Sequence, residues 1–262
     1  MLLKQVIELA DILDSPSASG AAVEAYLSSI DPEADVTVYA LEGSKGKTDM
    51  VKVRVPGIRG KSAGGSAPTI GLLGRLGGLG ARPERIGFVS DGDGALCALA
   101  IAAKLLDMKR KGDRLEGDVF ISTHVCPNAP TRPHTPVPFM DSPVNMAQVN
   151  QEEVSDDLDA ILSVDTTKGN KIINTRDFSI SPTVMQGYIL KVSSDLVDLM
   201  EITLGKPAHV FPLSQQDITP YGNDLYHLNS ILQPSTATKA PVVGVAITAA
   251  TAVPGCATGA SH

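Results

Sequence analysis

The stretch "FVSDGDGALCALAIAAKLLDMKRKGDRLEGDVFIST", residues 88–123, decides the fold. An apolar run ends in Asp91-Gly92-Asp93-Gly94, an Ala/Leu-rich segment follows, and a second apolar run closes at Thr123. The spacing predicts a helix over 94–110 and a buried strand over 117–123. Lys109, Arg110 and Lys111 lie at the helix end, where cations stabilise the dipole and need no ligand. The acidic turn has three readings: a metal site, a phosphate cradle, or N-cap and first-turn acids for the helix.

Upstream, "PTIGLL" (68–73) reads as a buried strand. The run Gly71–Gly80 lacks the Gly-Lys-Ser/Thr ending of a phosphate loop, so it reads as close backbone packing at a strand end. "DVTVYAL" (35–41) and "MVKVRVPG" (50–57) alternate with period two and form a hairpin. Residues 2–13 and 18–29 have helical apolar spacing and are separated by Ser15-Pro16-Ser17. Downstream, residues 126–143 carry six prolines, a density that neither helix nor inner strand tolerates, and read as a long ordered loop that includes His134. "DAILSVD" (159–165) is a strand, "SSDLVDLMEITLG" (193–205) a helix closed by Gly205, and "PAHVFPL" (207–213) a strand holding His209 as a core histidine. "NDLYHLNSIL" (223–232) is a helix and "PVVGVAI" (241–247) a final strand. Strands alternating with helices predict an α/β fold. The expected architecture is a three-layer αβα sandwich around a mixed, mostly parallel sheet, one domain over 1–262 without a separate lid domain.

The 262 residues are 43% apolar and 19% charged, with a formal charge of −7. That excludes global disorder and argues against nucleic acid, which needs a concentrated basic patch. No apolar run reaches the length of a membrane span and no secretory signal pattern opens the chain. Cys97, Cys126 and Cys256 are irregularly spaced, so a reducing, cytoplasmic setting is expected. Partners are then small molecules or short peptides, with a homo-oligomer as the expected assembly.

Ligands of such sheets bind beyond the carboxyl ends of the strands. The residues delivered there are Asp91 and Asp93, then His124 and Cys126, then Asp165, Thr166 and Lys168. Asn223 and Asp224 follow in "YGND", and the last strand runs toward His262. Carboxylates and imidazoles converging on one rim suit a divalent, zinc-like cation. Read blandly, Asp91 and Asp93 cap a helix and Asp165 forms a turn. A Cys126 nucleophile is disfavoured, because nothing nearby orients it on His124 and Pro127 follows at once.

"LADILDSPSASGAAVEAYL" (9–27), the 88–123 stretch, "DAILSVDTT" (159–167) and "YGNDLYHLNSIL…APVVGVAI" (221–247) resemble, in order, the segments of the di-zinc exopeptidase superfamily of co-catalytic zinc aminopeptidases and carboxypeptidases. More closely, the chain resembles a bacterial family known only as a domain of unknown function. The resemblance implies Asp91 as a metal-bridging carboxylate, Asp165 as a terminal ligand and His262 as the histidine after the last strand. It also exposes departures. Where the superfamily has His-x-Asp after "LLG", this chain reads Arg75-Leu76-Gly77. Where it has Glu-Glu, a general base followed by a ligand, this chain reads His124-Val125-Cys126. A two-metal site is then short of ligands. The implied alternative is one metal, zinc or a similar ion, held by Asp91, Asp165, His262 and His124 or Cys126. His124 and Asp93 would carry catalysis, and Arg75, Thr166, Lys168, Asn223 and Asp224 would bind substrate, Arg75 through a carboxylate. The expected function is metal-dependent hydrolysis of a peptide, amide or related small substrate. The alternative is a catalytically inactive, peptidase-like binding or scaffold protein.

Overall fold

The structure, a computed structural model, describes residues 2–75, 92–133, 139–167, 169–219 and 228–248. Two helices open the chain, α1 (Leu3–Leu13) and α2 (Gly20–Ile30), followed by the hairpin β1 (Asp35–Gly43) and β2 (Gly46–Val55). Ser19 caps α2 by accepting from the Ala22 N–H at 3.2 Å, supplying one of the partners a helix start lacks. Then come β3 (Ile70–Gly74), α3 (Asp93–Arg110) and β4 (Val119–Val125). The proline-rich loop carries a two-residue pair, β5 (Thr131–Arg132) and β6 (Phe139–Met140), and leads into α4 (Met146–Glu153). The remainder is β7 (Ala160–Thr167), β8 (Asp177–Ile180), β9 (Val184–Met185), β10 (Tyr188–Ile189), α5 (Ser194–Leu204), α6 (Leu228–Leu232) and β11 (Val242–Thr248).

Among the described residues the main sheet runs β1-β2-β4-β3-β7-β11-β9-β10, with β8 also on β11. Its centre, β4-β3-β7-β11, is parallel, and antiparallel strands flank it on both sides. The predicted mixed α/β sheet is therefore present, and its core is parallel. Ile121, Val125, Leu72, Val164, Val51 and Val53 point into one core with α1, α2 and α3. Phe120, Leu73, Ile161, Val242 and Ala246 point to the other face, against Ile231 and Leu232 of α6. Helices thus cover both faces.

Two close approaches set the start of α3. A Cβ on Gly74 would lie 2.5 Å from the Gly94 carbonyl, and one on Gly94 would lie 2.6 Å from the carbonyls of Arg75 and Val164. The first turn of α3 is thereby pressed onto the carboxyl ends of β3 and β7. The close packing expected of the glycine run is realised at Gly74. Gly92 takes the N-cap position without a side-chain cap, and Asp93 is the first-turn acid.

Two sequence expectations fail. Residues 207–213 do not form a strand: Val210 makes one isolated bridge to Ile180, and Pro207 and Pro212 lack the N–H a ladder needs. His209 is exposed, not a core residue.

Candidate functional site

The carboxyl ends of β4, β3, β7 and β11 lie side by side, and the pleat sorts their polar residues between the two faces. On the α3 face, the Thr123 hydroxyl donates to the Gly74 carbonyl at 2.8 Å, and the Thr166 hydroxyl reaches the Asp93 carboxylate at 3.4 Å. On the opposite face lie His124, Arg75 and Asp165.

Arg75 follows β3 and is completely buried. Its Nη1 donates to the Glu153 carboxylate at the end of α4, and its Nε to the Ser230 carbonyl of α6 at 3.0 Å. Glu153 is equally buried, and that burial holds its carboxyl above the ordinary range although the guanidinium beside it pulls the other way. A pair removed from water this completely contributes little net stability, yet losing one partner strands a charge.

The Ser230 hydroxyl donates to Asp165 Oδ2 at 2.8 Å, and the Thr166 N–H to Oδ1 at 2.7 Å. Asp165 is fully buried and oriented through both oxygens, as metal-ligating carboxylates are.

His124 lies opposite Met50 of β2. The Thr48 hydroxyl is 2.9 Å from His124 Nδ1 and donates its proton to the Val125 carbonyl at 3.2 Å. A hydroxyl has one proton, so both contacts are met together in the tautomer that carries the imidazole hydrogen on Nδ1. In that tautomer Nε2 presents a lone pair, buried without a partner among the described residues. Burial, reinforced by the Arg75 charge, pushes the His124 pKa down to about 4, so the ring is neutral at physiological pH. Arg75 Nη2, Glu153 Oε1 and Asn150 Oδ1 are likewise buried without a partner among the described residues. A polar layer therefore crosses the sheet from Thr48 through His124, Arg75 and Glu153 to Ser230 and Asp165.

The other nominated residues fall elsewhere. Asp93 and Thr166 meet each other, but across the sheet from His124. Cys126 is buried, and its thiol donates to the Lys47 carbonyl at 3.5 Å. Burial pushes that thiol up to about 11, so it is protonated at neutral pH. Asp91, Lys168, Asn223, Asp224 and His262 lie outside the described residues, as does His134. Among the described residues, no three His, Cys, Asp or Glu side chains are grouped as a metal would require. Carboxylate, imidazole and thiol are all donor types that divalent cations take. Sequence reasoning missed Glu153, Ser230 and Thr48. The one signal for Glu153 was Arg75 itself, since a guanidinium placed on a core strand needs a buried carboxylate.

The fold is similar to those of known structures. A cytosol aminopeptidase from Coxiella burnetii superposes with a TM-score of 0.59 at 13% identity, covering 97% of this chain and 66% of that one. The bottromycin maturation enzyme BotP superposes at 0.56 with 16% identity, covering 93% of this chain and 62% of that one. Its complex with Mn superposes at 0.57 with 15% identity, covering 93% and 63%. The chain thus spans less than two thirds of the length of these structures, and identities this low speak to the fold alone. No curated protein matches the chain in sequence. No described helix is long and apolar enough to cross a membrane. A family model covers residues 39–262, and the chain belongs to that family, described as "Protein of unknown function (DUF1177)".

Proposed function

We propose that the chain hydrolyses a peptide, amide or related small substrate at the carboxyl edge of β4, β3 and β7, with one divalent cation. The observation that carries this reading is the buried polar layer. It contains a doubly oriented carboxylate, Asp165, and a buried imidazole, His124, that meets Thr48 through Nδ1 and whose Nε2 has no partner among the described residues. Asp165 holds the cation together with Asp91 and His262, and zinc or manganese fits such a nitrogen and oxygen donor set. The cation supplies Lewis acidity to the scissile carbonyl. His124 Nε2 accepts the proton that the attacking water gives up, a task that needs the neutral ring. Glu153 neutralises Arg75, which would otherwise repel a cation in a low-dielectric setting. Asp93 and Thr166 line the α3 side of the same edge, and Lys168, Asn223 and Asp224, which lie outside the described residues, are assigned to substrate from the sequence alone. The BotP complex with Mn supports a divalent metal on this fold.

The test is elemental analysis of the full chain after mild purification, beside Asp165→Asn. About one equivalent of zinc or manganese in the native protein, lost in the variant, supports the proposal. A folded native protein without metal, which takes none up on dialysis against zinc or manganese, overturns it.

A second reading, a peptidase-like binding or scaffold protein without catalysis, is favoured by Arg75. Its charge is committed to Glu153 and Ser230 inside the protein, and its side chain is not offered to a substrate carboxylate. On this reading dipeptides or amino acids raise the melting temperature while divalent metals do not.

A further inference from the structure

On the α3 face, away from the polar layer, a groove of about 540 Å³ opens between α3 and α5. Its floor is Val164 of β7 with Val245 and Ile247 of β11, and its walls are Cys97 of α3, Phe178 of β8 and Leu204 of α5. The volume lies within the range of small-molecule sites. Cys97 belongs to the apolar lining, because burial and the nearby Asp93 charge push its thiol up to about 11.

Charge enters at one end only. Arg176 and Asp177 flank the groove. Asp177 is paired with Lys206, whereas the exposed Arg176 guanidinium makes no ion pair among the described residues. Asp177 also holds φ at +105°, in the left-handed region that costs a non-glycine residue of order 1–3 kcal/mol. This strained residue joins Arg176 to Phe178, so the chain turns where a cationic rim meets an apolar wall. Such strain concentrates at ligand clamps.

The geometry points to a binding site for a small amphiphilic carboxylate, its apolar body over Val164, Val245 and Ile247 and its carboxylate on Arg176. This assignment does not depend on the hydrolase reading, since the groove lies across the sheet from His124 and Asp165. An amino acid derivative with an apolar side chain and a fatty acid share that chemistry.

Calorimetric titration of the full chain with butanoate, hexanoate and octanoate, and with octanol and N-acetyl-leucine, tests it. Each added methylene tightens binding about fourfold, and octanoate binds about tenfold better than octanol. R176E abolishes the preference for octanoate over octanol and leaves the melting temperature of the free protein unchanged, because Arg176 is exposed. V245F, which fills the floor, weakens every probe. N-acetyl-leucine binding more tightly than hexanoate identifies an amino-acid-derived ligand; the reverse order identifies a fatty acid. Affinity independent of chain length, an unchanged preference in R176E, or no binding at millimolar concentration would overturn the assignment.

Discussion

Acidification offers the most direct probe of the polar layer. An ordinary histidine titrates near 6.5, and His124 is pushed down to about 4 by burial and by Arg75. As pH falls, the unfolded chain takes up this proton before the folded one does. The contribution of His124 is therefore intact above about pH 6.5 and is lost between there and about pH 4. The full loss is about 3 kcal/mol, of which about 2 kcal/mol is reached by pH 5. Glu153 acts with the opposite sign, because its raised pKa favours the folded state below the ordinary carboxylate range and loses that effect as pH rises. A variant that removes only the histidine separates the two. His124→Asn keeps a donor where Nδ1 meets Thr48 and cannot be protonated. Urea unfolding of both proteins at pH 7.5, 6 and 5 should show the native chain losing about 2 kcal/mol more than the variant across that interval. Parallel stability curves would refute the buried neutral imidazole and with it the proton-accepting role proposed for Nε2.

Arg75→Ala leaves Glu153 buried without a counter-charge and should cost about 3–5 kcal/mol in urea unfolding. Gly94→Ala places a Cβ 2.6 Å from two backbone carbonyls, so the start of α3 must shift. The expected loss is about 1–3 kcal/mol, read by thermal denaturation, with α3 amides showing faster hydrogen exchange. Asp118 accepts from the N–H groups of Gly57 and Ser62 and from the Ser62 hydroxyl, at 2.7–2.8 Å. Burial pushes this carboxyl up, but those donors outweigh it and hold it below the ordinary range. Asp118→Ala should free the 57–65 loop for proteolysis and lower stability by about 2–3 kcal/mol. Cys97 and Cys126, with thiols near 11, should react with iodoacetamide at pH 8 at least a hundredfold more slowly in the folded than in the unfolded chain.

Much of the sheet was legible because its residues obey simple periods. The alternation in β1 and β2, the apolar runs of β3, β4, β7 and β11, and the Ala/Leu pattern of α3 each marked its element. By contrast, α4 went unread. Its inward residues include Asn150 and Glu153, both buried, so polarity hid the face that packs on the sheet. The short strands β8 to β10 carry too few residues for any period to register. The apolar run at 207–213 misled for the converse reason, with side chains suited to a strand on a backbone interrupted by two prolines.

The candidate site was legible as a rim but not as a layer. Strand ends nominated His124 and Asp165, and the family resemblance drew attention to Arg75, yet their partners Thr48, Ser230 and Glu153 come from distant segments with no motif. Facing direction was the other hidden quantity. Asp165 and Thr166 are neighbours in sequence, but the pleat turns Asp165 toward Ser230 and Thr166 toward Asp93.

The hydrolase reading is tested most directly by a crystal structure of the full chain grown with Mn²⁺, with data collected at the manganese absorption edge. The reading predicts one anomalous peak within coordination distance of the Asp165 carboxylate, with His124 Nε2 facing the same space. An Asp165 carboxylate with no anomalous peak beside it, in a crystal that binds manganese elsewhere or nowhere, would contradict it.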